Sequence, residues 1–281
     1  MAATFWVDGH WTDEAPRLTG PADHAFWQSS SVFDGARAFG GLAPDLDLHC
    51  ARCIASAIAM GLKPAMAAEQ IRRIAIEGIR RFPATAELYV KPMFYGAGGM
   101  LTVDSAITSF VMHIFEAPMP GPGGFSATLS PLRRPARDMA TTDAKTPGLY
   151  PNSDRANREA NARGFDHAVM RDPSGNIAEF AFSNIMVAKG GRVMTPVANG
   201  TFLAGITRRR TLLLLAEAGI EAVETTLVDA DLHAADEIFS VGNYGKVVPC
   251  TRYESRALNA GPIFSEARRR YFAFAETARV I

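Results

Sequence analysis

Lys145 stands in a small, polar loop, "TTDAKTPGLYPNS" (141–153), with Tyr150 five residues beyond it. A lysine amine can attack an aldehyde to form a Schiff base, and a phenol can hydrogen-bond to a phenolate oxygen. Glu179 follows Lys145 by 34 residues, inside the apolar run "NIAEFAFSNI". Buried there, a carboxylate needs a positive or hydrogen-bonding partner. Strand alternation would equally put Glu179 with Ala181 on a solvent face. Further on, Gly205-Ile206-Thr207 runs into "RRRTLLLLAEAG". Free backbone N–H groups, the positive end of the helix dipole and a Thr hydroxyl suit a phosphate, although a plain helix start looks the same. Separately these residues read as a surface charge, a packed tyrosine, a solvated acid and a helix cap. Together they are the parts needed to hold pyridoxal 5'-phosphate (PLP). The lysine would bond its aldehyde, and the acid would keep the pyridine nitrogen protonated so that the ring accepts electrons from a substrate carbanion.

Elements on both sides must position these groups. "TFWVDGHWT" alternates about Asp8-Gly9 and predicts an opening hairpin. Helical patterns follow at about 49–62 and 67–82, then strand-like runs at 87–95 and 108–117. "PMPGPGG" (118–124) is incompatible with a helix or a central strand. The expected fold is therefore α/β (of the α+β type) with two domains: a small N-terminal α/β domain at 1–118, a linker at 119–124 and a larger C-terminal domain at 125–281 with a mostly antiparallel sheet or barrel. In the latter we expect a strand at 125–132, the Lys145 loop, and a helix from about Asn152 capped by Asn152 or Ser153. An antiparallel meander over 167–197, a helix closing at Gly219, strands at 221–228 and 237–242, and a terminal helix at 262–276 complete it.

The formal net charge of zero gives no overall field favouring nucleic acid or an anionic membrane. Only five of the 29 basic residues are lysines (Lys63, Lys91, Lys145, Lys189 and Lys246), so each merits inspection. The N-terminal segment lacks the pattern of a signal peptide, and no apolar run approaches about 20 residues, so a cytoplasmic protein is expected. Cys50, Cys53 and Cys250 are too few for a disulfide framework. "HCARC" (49–53) lacks a second ligand pair for zinc, and its cysteines read as small buried hydrophobes. No metal site is expected.

The order and spacing of these motifs resemble the fold-type IV PLP-dependent enzymes, most closely the branched-chain aminotransferase family. That family has a catalytic lysine with Tyr five residues on, matched by Lys145 and Tyr150. It has an E-x-x-x-x-N pattern, matched by Glu179 to Asn184, and L-x-G-I-T-R, matched by Leu203 to Arg208. F-[DE]-G-x-R appears as Phe33 to Arg37, and H-x-x-R as His49 to Arg52. The resemblance implies that Arg52, Leu203, Ile206, Thr207 and Asn243 hold the cofactor, with the backbone amides of Ile206 and Thr207 on its phosphate. It implies that Tyr150 contacts the ring oxygen and Glu179 the ring nitrogen. Phe33, Gly35, Arg37, Tyr89, Lys91 and Tyr244 are the implied substrate residues.

Two departures bear on the substrate. Where branched-chain enzymes show Y-[IV]-R-P this chain has Tyr89-Val90-Lys91-Pro92, and Lys keeps the charge but loses the bidentate fork. Aminodeoxychorismate lyases of the same fold can carry lysine there. In "SVGNYG", Asn243 replaces a phosphate-contacting Thr and Tyr244 adds bulk near the substrate carboxylate. The resemblance implies transamination between a branched-chain or other hydrophobic amino acid and a 2-keto acid such as 2-oxoglutarate. A D-amino acid or (R)-amine transaminase and a carbon–oxygen lyase are the alternatives. A homodimer is also implied, with Phe26 and Trp27 either interface aromatics or core residues.

Overall fold

Asp8 and Gly9 both have positive φ (51° and 86°), the backbone that closes a tight hairpin, and they join β1 (Ala3–Val7) to β2 (His10–Thr12). The computed structural model describes residues 2–281. A short helix α1 (His24–Trp27) and two short strands, β3 (Ser31–Phe33) and β4 (Ala36–Ala38), precede helices α2 (Leu46–Ala59) and α3 (Ala68–Ile79). The long strands β5 (Leu88–Gly96) and β6 (Thr108–Glu116) follow. These strands form an antiparallel sheet in the order β2-β1-β6-β5-β3, with β4 also on β5. Along β5 buried and half-buried residues alternate without a break. Its buried face, with Val90, Met112 and Ile114, packs against Cys50, Cys53 and Ala57 of α2 and Ile71, Ile74 and Ile79 of α3.

The remaining elements are β7 (Phe125–Arg133), α4 (Tyr150–Ala162), β8 (His167–Arg171), β9 (Ile177–Phe180), β10 (Asn184–Lys189), β11 (Arg192–Pro196), α5 (Ile206–Glu217) and β12 (Ala222–Thr225). α6 (Asp229–His233), β13 (Glu237–Gly242), β14 (Lys246–Tyr253), β15 (Arg256–Ala257) and α7 (Pro262–Ala275) complete the chain. They build a nine-stranded sheet in the order β12-β11-β10-β13-β14-β7-β8-β9, with β15 on β14. Alternation assigns the two faces of β10 to different cores. Ile185 and Val187 join Phe180, Val169 and Ile238, whereas Met186 and Ala188 join Leu215 of α5 and Phe264 and Tyr271 of α7.

The chain groups into two compact units. One contains the residues up to Met119 together with Ala144–Gly148 and Ala275–Ile281, and the other contains Pro120–Asp143 and Leu149–Phe274. The five residues around Lys145 thus pack with the N-terminal elements, although in the chain they follow the Pro/Gly stretch.

Several expectations are corrected. The 167–197 region is two hairpins rather than a continuous meander, because the turn at 181–183 leaves β9 and β10 joined by an isolated bridge, Phe180↔Ser183. The sheet is mostly antiparallel, as expected, and its parallel pairs are β7 with β8, β7 with β14 and β11 with β12. Helix α4 begins earlier than expected, at Tyr150, and neither Asn152 nor Ser153 caps it. Both lie in its first turn and clamp the end of β7 instead: Asn152 Nδ2 donates to Arg133 O (2.8 Å), and Arg134 Nη1 donates to Ser153 Oγ (3.0 Å). Phe26 and Trp27 are exposed, not core. Among the described residues no helix is long and apolar enough to cross a membrane.

Candidate active site

In the first unit Lys145 is half-buried and held at both ends of its own backbone. Its N–H donates to Ser56 Oγ (3.0 Å), and its carbonyl accepts from Phe33 N–H (3.0 Å). The first bond ties the loop to α2 and the second to the end of β3, so two independent elements fix where the side chain starts. Lys145 Nζ lies 4.8 Å from the centre of the Phe33 ring, and Lys91 Nζ lies 5.1 Å from the same ring. Two amines therefore share one aromatic surface. Burial, and secondarily the charge of Lys145, hold the Lys91 pKa below that of an ordinary lysine.

Lys91 and Tyr89 share the half-buried face of β5. Tyr89 stacks on Phe115 (5.4 Å), Phe115 on His113 (4.5 Å) and His113 on Phe5 (4.5 Å), forming an aromatic row across three strands. Burial, reinforced by Lys91, lowers the His113 pKa to about 4. Gly35 is explained by Tyr89: a Cβ there would lie 2.1 Å from the phenolic oxygen. Arg37 is fully buried, with Nη2 donating to Ala117 O and Nε 3.0 Å from Met119 Sδ.

Asp34 organises Arg52. The guanidinium donates through Nε to Asp34 Oδ2 (2.7 Å) and through Nη2 to Oδ1 (2.9 Å), while His49 Nδ1 lies 2.7 Å from Oδ1. Burial opposes ionisation of Asp34, but the charges and hydrogen bonds of Arg52 and His49 outweigh it and hold the carboxyl well below the usual range. The H-x-x-R and F-D-G segments are thus one ion-paired assembly. Cys50 and Cys53 are buried free thiols, and burial pushes the Cys50 thiol up to about 12.

In the second unit Glu179 is buried, because all four β9 residues are enclosed. It lies 3.3 Å from Arg134 Nε and accepts from Asn184 Nδ2 at 3.1 Å. Asn184 Nδ2 also donates to Leu203 O (3.1 Å), linking the acid to the loop that leads into α5. A Cβ on Gly205 would meet Asn184 Oδ1 at 2.0 Å, so glycine is required for that approach. Ile206 and Thr207 open α5, where no side chain caps the first N–H groups. Arg208 pins this end of the helix through Thr195 Oγ1 (3.1 Å), Pro196 O (2.6 Å) and Glu224. Tyr150 stacks on Phe182 at 6.0 Å.

Asn243 and Tyr244 form the turn between β13 and β14. Tyr244 is 58% exposed, so its ring projects outward from this unit. Asn243 Oδ1 accepts from Lys246 Nζ (2.7 Å), and its Nδ2 is buried with no hydrogen-bond partner among the described residues. An orphaned buried donor, an uncapped helix start and a buried acid suit a phosphorylated, protonatable ring. The residues present thus fit PLP. Among the described residues, no group of three or more His, Cys, Asp or Glu side chains is arranged to hold a metal.

Sequence reasoning missed Ser56, Arg134 and Lys246. Only Lys246 carried a signal, being one of five lysines and set directly after a glycine in an irregular turn.

The sequence pattern of the amino-transferase class IV family matches residues 31–253. The branched-chain-amino-acid aminotransferase of Pseudomonas aeruginosa is 30% identical over 282 positions, covering 95% of this chain and 91% of that protein. A crystal structure of an aminotransferase from Brucella abortus bound to PLP aligns with a TM-score of 0.97 at 42% identity, covering 98% of this chain and 100% of that one. The branched-chain aminotransferase of Thermoproteus uzoniensis, solved with norvaline, aligns with a TM-score of 0.90 at 28% identity, covering 98% and 96%.

Proposed function

We propose, since the chain belongs to the class IV aminotransferases and is a PLP-dependent enzyme, that it moves the amino group of branched-chain or other hydrophobic amino acids to a 2-keto acid such as 2-oxoglutarate. One observation carries the substrate reading: the Phe33 ring flanked by Lys145 Nζ at 4.8 Å and Lys91 Nζ at 5.1 Å. An apolar surface beside the reacting amine suits a hydrophobic side chain, and the second cation suits a carboxylate. The names of the Pseudomonas and Thermoproteus relatives support the same reading.

When bound, PLP supplies an electron sink for the carbanion formed at the substrate Cα. Lys145 Nζ would hold the cofactor through its aldehyde carbon, and as a free amine it would carry the substrate's Cα proton. Glu179, kept in place by Arg134 and Asn184, would accept a hydrogen bond from the protonated ring nitrogen. Tyr150 would donate to the ring oxygen. The N–H groups of Ile206 and Thr207, with Asn243, would hold the phosphate, and the family resemblance adds Arg52. Lys91 and Tyr89 orient the substrate carboxylate, and Gly35 leaves room for the Tyr89 phenol. Phe33, Arg37 and Tyr244 complete the substrate set. The working unit is a homodimer, a reading supported by exposed Phe26 (64%) and Trp27 (48%) on α1.

A donor screen with 2-oxoglutarate and both enantiomers of each amino acid tests this. Glutamate formed from L-leucine, L-isoleucine or L-valine is the expected result. Activity confined to D-amino acids or (R)-amines would overturn the substrate reading.

A further inference from the structure

We propose that Lys246 is a positioning residue for the cofactor phosphate: its buried ammonium orients the Asn243 amide so that Nδ2 is presented to a phosphate oxygen. This rests on the PLP reading above.

A hydroxyl at this turn would rotate to serve whichever partner it meets. An amide has two unlike ends, and its carbonyl would repel a phosphate. Something must therefore choose between them. Lys246 Nζ lies 2.7 Å from Asn243 Oδ1. An ammonium has donors and no acceptor, so only the carbonyl end of the amide can face it. Nδ2 is thereby turned the other way, and there it is buried without a partner among the described residues. A buried amide N–H left so costs stability until an acceptor arrives.

Lys246 itself is expensive to keep. It is 1% exposed, and its backbone has φ 63°, a left-handed conformation that lysine rarely adopts. A packing role alone would be served by an apolar side chain without the cost of burying a charge. Tyr271 lies under the ammonium, with its ring centre 5.6 Å from Nζ, which fixes the direction of the side chain.

The turn also lies in the right part of its unit. Val241 pairs with Asn184, the residue whose Oδ1 touches the space at Gly205 immediately before α5. Donors from the Asn243 turn and from the uncapped start of α5 therefore flank the same residue of β10. An anion held by two such segments receives N–H groups from both.

The test is cofactor affinity in the full-length protein, measured with PLP and with pyridoxal, which lacks the phosphate. Lys246→Met should weaken PLP binding about tenfold or more and leave pyridoxal binding unchanged. In the Asn243→Thr background, where no amide needs orienting, the same change should have little effect on PLP. Equal weakening in both backgrounds would mean that the lysine acts through its charge alone, and would overturn the proposal. Unchanged PLP affinity in Lys246→Met, or equal losses for PLP and pyridoxal, would overturn it as well. If Lys246→Met does not fold, Asn243→Ala replaces it and must show the same phosphate-selective loss, with unchanged PLP affinity counting against the proposal. A wild-type protein that binds neither compound would instead overturn the PLP reading itself.

Discussion

Glu179 Oε1 lies 3.3 Å from Arg134 Nε, and both side chains are nearly excluded from solvent. Arg134 also donates through Nη1 to Ser153 Oγ and lies 3.3 Å, through Nε, from Thr201 O, so one guanidinium joins the acid to α4 and to the loop before α5. The acid is held in position by its surroundings and not by its own strand alone.

Replacing Arg134 with Met should therefore remove the cation beside a buried carboxylate. We expect a loss of about 3–5 kcal/mol in unfolding free energy, measured by urea denaturation. Arg134→Lys should lose less, because it keeps the charge while giving up the fork.

Gly35→Ala would drive a Cβ into the Tyr89 phenol, which neighbouring strands hold against Phe115. A destabilisation of about 1–3 kcal/mol is expected from thermal melts. Tyr89→Ala in the same chain should remove most of that penalty, and two independent, additive losses would count against the steric account.

His113 makes stability depend on pH. Its folded-state pKa is held near 4, below its ordinary value of 6.5, so between these the unfolded chain binds a proton that the folded chain refuses. Stability should fall as the pH drops through this window and be unaffected by His113 above it. His113→Phe, which can keep the stacking between Phe5 and Phe115, should be more stable than the wild type at pH 5 when the two are compared relative to pH 7.5. Denaturation curves at the two pH values check this.

The candidate site's short-range motifs can be read from the sequence. Lys145 and Tyr150 stand five residues apart in sequence, Glu179 and Asn184 share one motif, and Gly205-Ile206-Thr207 announces a helix start by composition alone. Burial of Glu179 was ambiguous, because alternation cannot say which face of a strand is covered when both are. Arg134 and Ser56 were invisible because their roles exist only through partners 45 and 89 residues away. The same limit explains the parallel placement of β7 between β8 and β14, since no local pattern distinguishes a parallel neighbour from an antiparallel one. Asn152 and Ser153 misled for a related reason: their cap-forming chemistry was real, but the end of β7 claimed it.

Of the five lysines, Lys145 is the amine proposed to bond the cofactor. Borohydride reduction of the PLP-loaded protein fixes the cofactor to whichever amine it is bonded to, and peptide mass spectrometry then locates the added mass. A pyridoxyl-phosphate mark is expected on the peptide containing Lys145, with its disappearance in Lys145→Ala. A mark on Lys91 or Lys246 instead, or an unchanged pattern in Lys145→Ala, would contradict it.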